Sequence, residues 1–288
     1  MRRRPRSVSA KVFLAIAGLL LGAAGTAGAV ESDLTRQWVL DRLNDSLSPP
    51  LDLDGMSSML FGLVSDRETA GRSATRQVLD KIARLAGSME PAKLNCSDAV
   101  NLHLIAGFLN LAGIPFDSTA LSGRVQDCLG SVNPYDQASA LYSLCRFDPA
   151  VPRERLALAM ASVEALQQPD GSFGSGYGLS HFYTSTHAVF ALHACAGDPL
   201  AIQMGQDFIR SALPRLYQAG FIDALMQSLL MLREMEVDIP EEGRYLAWLR
   251  SRIKPDGSIC CFDRPGCVSD RHATSQLLEF FRVFPAPD

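Results

Sequence analysis

The sequence predicts an all-α protein, a double-walled ring of paired helices, on three observations. Six apolar segments recur along the chain, opening at Asp54, Asp98, Asp136, Thr184, Asp223 and Asp270. Their starts lie 44, 38, 48, 39 and 47 residues apart, which leaves room for two helices and two short connections per repeat. Between them run stretches of a second kind with a single apolar stripe, and no strand hairpin or linker composition interrupts the alternation.

The two helix classes follow from their patterning. The repeated segments are apolar on nearly every face, as in Leu102, Leu104, Ile105, Phe108, Leu109 and Leu111. A helix of that kind must be buried on most sides, so these form the inner wall. The intervening stretches place Val78, Ile82 and Leu85, or Leu156, Met160, Val163 and Leu166, at spacings of three and four, and form the outer wall. Asp54, Asp98, Asp136, Asp223 and Asp270 stand where an N-cap is needed. Gly113 and Gly197 stand where a left-handed residue would end a helix.

Ahead of the repeats, residues 1–29 read as a secretory signal. Arg2, Arg3, Arg4, Arg6 and Lys11 form a basic start, Val12 to Ala24 is an apolar run too short for a comfortable membrane span, and Ala27-Gly28-Ala29 offers a cleavage site before Val30. The remainder, 30–288, reads as one domain that is exported, to the periplasm or outside the cell. Apolar residues make up 47% of the chain and charged ones 20%, a globular profile. Removing the signal leaves 22 Lys and Arg against 31 Asp and Glu, a net charge of −9. That balance argues against nucleic acid as a partner and leaves a small apolar molecule or a protein. The seven cysteines all follow the signal, so disulfides are expected and one thiol is left over. Cys260, Cys261 and Cys267 enclose a short loop, which points to a bridge from Cys267 to Cys260 or Cys261.

Two segments carry a family resemblance. Gln167-Gln168-Pro169-Asp170-Gly171-Ser172-Phe173-Gly174 resembles the Gln-x-x-Asp-Gly-Ser-aromatic-Gly repeat of terpenoid cyclases and protein prenyltransferases, and Lys254-Pro255-Asp256-Gly257-Ser258-Ile259 resembles a degenerate second copy. The resemblance implies an (α/α)6 toroid over essentially the whole mature chain. In such a ring the inner N-termini converge on one mouth, which would gather Asp52, Asp54, Asp98, Asp136, Tyr183, Thr184, His187, Asp223, Asp270 and His272. Asp54, Asp223, His187 and His272 are the candidate acid/base residues, and Asp52, Asp98, Asp136, Tyr183, Thr184 and Asp270 the candidate ligand contacts.

The resemblance also implies specific chemistry. Asp52-Leu53-Asp54-Gly55-Met56 is similar to the Asp-x-Asp-Asp-Thr acid motif of class II terpene cyclases, with Asp54 as the acid, and lacks the final Asp and Thr. Protein prenyltransferases hold zinc with Asp, a Cys two residues on, and a distant His. Asp223 and His272 match two of these, but the Cys position is Leu225, so the zinc set is incomplete. The sequence has no Gly-Cys-Gly-Glu-Gln thioester segment. Among the other histidines, His103 and His193 sit in apolar helices and read as core residues, whereas His181 lies at the glycine-rich segment Gly174–Gly178. Three functions are thus expected: acid/base chemistry on an apolar ligand in a central cavity, a non-catalytic binding module or scaffold, or polysaccharide cleavage by paired carboxylates such as Asp98 and Asp136 set about 5–10 Å apart.

Overall fold

A computed structural model describes residues 26–48, 51–65, 73–131 and 133–285. The basic and apolar start of the secretory signal lies outside the described residues. Among those described, twelve α-helices and two 3-10 turns account for the regular structure, with isolated bridges but no strand. The helices are α1 (Thr26–Asp45), α2 (Leu53–Ser65), α3 (Ser73–Gly87), α4 (Cys96–Leu111), α5 (Thr119–Asp127) and α6 (Pro134–Phe147), followed by α7 (Arg153–Glu164), α8 (Gly178–Ala194), α9 (Pro199–Gln218), α10 (Ile222–Glu234), α11 (Glu242–Arg250) and α12 (Arg271–Val283).

The even-numbered helices contain the six repeated segments and form a closed inner ring. Each packs against the next, α2 on α4 on α6 on α8 on α10 on α12, and α12 returns to α2. The odd-numbered helices lie outside, α5 against α4 and α6, α7 against α6 and α8, and α9 against α8 and α10. The two patterns read in the sequence match this division. In α10 every residue from Ile222 to Leu232 is buried except Gln227. The outer α3 instead buries Thr75, Leu79, Ile82 and Ala86 along one stripe, with Val78 and Leu85 half-buried at its edge.

Helix starts differ from the capping expectation. Of the five aspartates proposed as N-caps, Asp270 does the work, accepting from Ala273 N at 2.8 Å. On three of the other four helices the bond is made by an earlier residue: Asp52 accepts from Gly55 N, Asn95 from Asp98 N and Asn133 from Tyr135 N, while α10 starts after Phe221 with no side-chain cap. Asp54, Asp98, Asp136 and Asp223 therefore fall inside the first turn of their helices. The fourth inner helix starts at Gly178, six residues before Thr184. At the end of α8 the left-handed residue is Ala196, with φ of 56°, and not Gly197.

Both motif loops adopt one geometry. Asp170 accepts from Ser172 N and Oγ, and Asp256 accepts from Ser258 N and Oγ in the same way. The following residues, Phe173 and Ile259, are fully buried and donate their N–H to Ser185 and Thr274 on the next inner helix. The degenerate copy is thus a structural repeat of the first, joining an outer helix to an inner one. The second loop also closes the ring, because the Gly257 carbonyl accepts from Thr35 Oγ1 of α1 at 2.7 Å.

Gly257 has φ of 78°, and a Cβ there would stand 2.4 Å from Thr35 N. Gly257→Ala is therefore expected to destabilise the protein by at least ~2 kcal/mol, from the left-handed backbone and the forced separation together. Gly243→Ala, in α11 with open space around it, is expected to stabilise by about 0.5–1 kcal/mol. Denaturant midpoints of the two variants check the pair, and equal shifts would contradict this account of the seam.

Candidate active site at the ring mouth

On α2, α4 and α8 the residues that keep partial exposure in mid-helix recur at spacings of three and four. They trace stripes such as Ser58 and Phe61 on α2, Asn101 and Leu104 on α4, and Tyr183, His187 and Phe190 on α8. Outer helices cover the other side of this wall, so the stripes face the ring axis. Effects across the ring agree. The Tyr135 phenol on α6 is held well above its ordinary pKa, first by burial and then by the carboxylates of Asp54 on α2, Asp136 on its own helix and Asp223 on α10. Burial likewise raises Tyr142, lower on α6, with Arg146 lowering it and Glu234 of α10 raising it. The axial face of the inner ring is thus polar near the inner N-termini and aromatic below, where Tyr142 and Phe190 meet edge to face at 6.0 Å and Phe61 and Phe108 at 5.9 Å.

Asp223 is the centre of the polar end. It is the second residue of α10, only 5% exposed, and its Oδ2 accepts from the Tyr183 hydroxyl at 2.5 Å. Its buried Oδ1 has no hydrogen-bond partner among the described residues and stands 3.7 Å from His272 Nε2. A buried carboxylate oxygen left in this state is costly unless a proton, a cation or a ligand meets it. The His272 ring continues the chain: Nδ1 is 2.8 Å from Ser58 Oγ, and Nε2 is 2.5 Å from the Gln276 amide. One polar series thus joins four inner helices, Tyr183 on α8, Asp223 on α10, His272 on α12 and Ser58 on α2.

His187 extends the site to α6, with Nδ1 2.9 Å from Ser139 Oγ and its ring 4.2 Å from that of Tyr135. Burial, reinforced by His272, lowers its pKa to about 3, so this imidazole is neutral at physiological pH. Burial and the Asp223 carboxylate hold the Tyr183 phenol high, and burial raises the Asp136 carboxyl. Cys261 is the free cysteine, its thiol pushed up to about 12 by burial and by Asp223 and Asp270, and so remains protonated.

The remaining expected contacts have structural partners. Asp52 caps α2 and pairs with Arg271 at 2.9 Å. Asp98 accepts from Asn95 Nδ2 at 2.8 Å while donating its own N–H to the Asn95 side chain, a reciprocal cap. Asp54 is exposed, with Asn101 Nδ2 3.5 Å from its Oδ1. Thr184 donates to Ser180 O and lies beside the Gly174 turn. Among the histidines read as core residues, His103 is buried with Nδ1 2.6 Å from Ser143 Oγ, whereas His193 is exposed. His181 lies within α8, three residues after its start.

The bridge from Cys267 goes to Cys260, and two further disulfides, Cys96–Cys128 and Cys145–Cys195, tie neighbouring helices. Three disulfides point to an oxidising environment. No helix among the described residues is long and apolar enough to cross a membrane.

This arrangement has a parallel among solved structures. The chain is similar to the type II terpene cyclase MstE from Scytonema, in its apo form, with a TM-score of 0.61 and 14% identity over 89% of this chain and 98% of that one. It shares that cyclase's fold. No family model matches the sequence, and no curated protein matches it.

The zinc ligands of the prenyltransferase resemblance do not fit. Leu225 occupies the thiolate position and is fully buried, and no group of three His, Cys, Asp or Glu side chains among the described residues could hold one ion. Sequence reading missed Ser58, Tyr135, Ser139 and Gln276. The available signal was their register, since Ser58 stands one turn beyond Asp54 and Gln276 one turn beyond His272.

Proposed function

We propose that this chain is an exported protein whose ring lumen binds a largely apolar ligand and whose mouth acts on it by acid/base chemistry at Asp223 and His272. The observation that carries this reading is the buried, unbonded Asp223 Oδ1 facing His272 Nε2 near the N-termini of the inner helices. An imidazole beside a buried carboxylate can take a proton from a bound molecule and return it, with the carboxylate stabilising the charged ring. Tyr183 fixes the carboxylate by its short bond to Oδ2, and neutral His187 serves as wall and hydrogen-bonding group. Asp54, exposed on the rim, is less sheltered from water than Asp223, so the geometry favours Asp223 over Asp54 as the working carboxylate. Likeness in fold to a terpene cyclase makes isoprenoids the first ligand class to test.

Native and denaturing mass spectrometry of protein secreted with its own leader provides the test. The denatured mass is expected to begin at Val30. The native protein is expected to take up one equivalent of geranylgeraniol, and Leu104→Trp, which fills the lumen from α4, is expected to abolish uptake. Failure of the unaltered protein to bind, or equal binding by the plugged variant, would overturn the lumen as the ligand site.

A further inference from the structure

We propose that Ser58 is a nucleophile activated by His272, so that the ring mouth cleaves carboxylic esters of apolar acyl chains by way of an acyl-serine. The inference rests on the lumen and the His272–Asp223 pair of the reading above, and adds to it a residue, a covalent step and a substrate class.

The argument starts from the two nitrogens of His272. Nε2 faces the Asp223 carboxylate at 3.7 Å and the Gln276 amide nitrogen at 2.5 Å, while the other end of that amide, the buried Gln276 Oε1, has no hydrogen-bond partner. Exchanging the nitrogen and oxygen of that amide gives the unbonded Oε1 a partner and lets Gln276 accept the Nε2 proton, and the carboxylate behind favours the same tautomer. Nδ1 then carries a lone pair, 2.8 Å from Ser58 Oγ. A hydroxyl donating to an imidazole that is steadied from its far side by a buried carboxylate is the arrangement that makes a serine nucleophilic. Here the ring nitrogens exchange places relative to the usual triad. Ser58 is half-buried on the axial stripe of α2, one turn above Phe61, so a carbonyl carbon presented from the lumen can reach it. Neighbouring Ser57 differs, because its hydroxyl is engaged by Asp54 O and Asn101 Oδ1.

In the step itself, Ser58 Oγ attacks the ester carbonyl carbon as its proton moves to His272 Nδ1. The ester C–O bond breaks, and the leaving alcohol takes that proton from Nδ1. Water, deprotonated by the same nitrogen, then attacks the acyl-serine, releasing the carboxylic acid and returning the proton to Ser58. One ester and one water give one acid and one alcohol. The Asp223 charge stabilises the imidazolium that forms in each half of the reaction.

The test is covalent labelling of the full mature protein by an alkyl fluorophosphonate, with the site located by peptide fragmentation that separates Ser58 from Ser57. One label on Ser58 is expected, at a rate at least 100-fold higher than in His272→Gln, and none on Ser58→Ala. The p-nitrophenyl ester of dodecanoate is expected to be hydrolysed faster than that of butyrate. Unlabelled Ser58, or equal labelling of His272→Gln with unchanged melting behaviour, overturns the proposal. The mapping on unaltered protein decides the matter even where Ser58→Ala fails to fold. Failure of the two readings can be told apart. Geranylgeraniol uptake without Ser58 labelling rejects the nucleophile alone, whereas Ser58 labelling with no isoprenoid uptake rejects the isoprenoid lumen and supports the nucleophile.

Discussion

Replacing Cys145 and Cys195 together by alanine is expected to lower stability by about 4 kcal/mol, from the loss of chain-entropy restraint on a 50-residue loop. The bridge ties α6 to the residue that ends α8, two adjacent members of the inner ring. Without it the loop through α7 and its motif turn is free to expand in the unfolded state, while the folded ring keeps its packing. For a chain of this size such a loss corresponds to a fall in melting temperature of roughly 10 °C. The Cys260–Cys267 bridge encloses a separation of 7, and its removal is expected to cost only about 2 kcal/mol. Chemical denaturation of the two double variants, with the slope monitored for changes in the unfolded state, checks the ordering. Equal losses would mean that loop length does not govern these bridges.

Asp223→Asn is expected to separate stability from function. The asparagine carbonyl can accept from Tyr183, so the bond at 2.5 Å keeps a partner, and the buried negative charge with its unbonded oxygen disappears. The folded protein is therefore expected to be unchanged or more stable by about 1 kcal/mol, because an incompletely paired buried charge is removed. The same change leaves the His272 imidazolium without its counter-charge. Labelling of Ser58 and ester hydrolysis are expected to slow by at least ~100-fold, within the range usual for loss of positioned acid/base assistance. A destabilised variant with full reactivity would show that Asp223 is a structural residue. Tyr183→Phe is the milder companion, since it frees Oδ2 and leaves the charge in place.

The ring was legible in the chain because its two walls differ in a way that periodicity reports. Helices buried on all sides except the axis, such as α10, read as apolar throughout, and those with one covered face, such as α3, read as striped. The motif loops were legible for a local reason, as Asp-Gly-Ser fixes its own turn through bonds two residues apart. Helix starts were less so. Asn95 and Asn133 compete with nearby aspartates for the same role, and the choice depends on which residue holds extended backbone at the boundary. The site was hardest, because its contacts join residues far apart in the chain. Many of them nevertheless lie about one repeat apart: Ser57 with Asn101, Ser139 with His187, His103 with Ser143 and Tyr183 with Asp223. Stacking the six repeats in register pairs these residues from the sequence alone. Ser58 and His272 escape even that device, since they are neighbours only after the ring has come full circle.

That last contact sets a condition on how the molecule comes into being. The final inner helix meets the first across 214 residues at Ser58 and His272, and a backbone carbonyl meets Thr35 across 222. Contacts of such high sequence separation must overcome the entropy of closing nearly the entire chain before they return any gain. A chain that emerges from its N-terminus can pair α2 with α4, and each later helix with its predecessor, long before α12 is present to dock. An open crescent is therefore the natural precursor of the ring, and the seam is the last thing to form. In that precursor Ser58 lacks its imidazole and Asp223 has Tyr183 but not His272, so chemical competence and completion of the fold arrive in the same event.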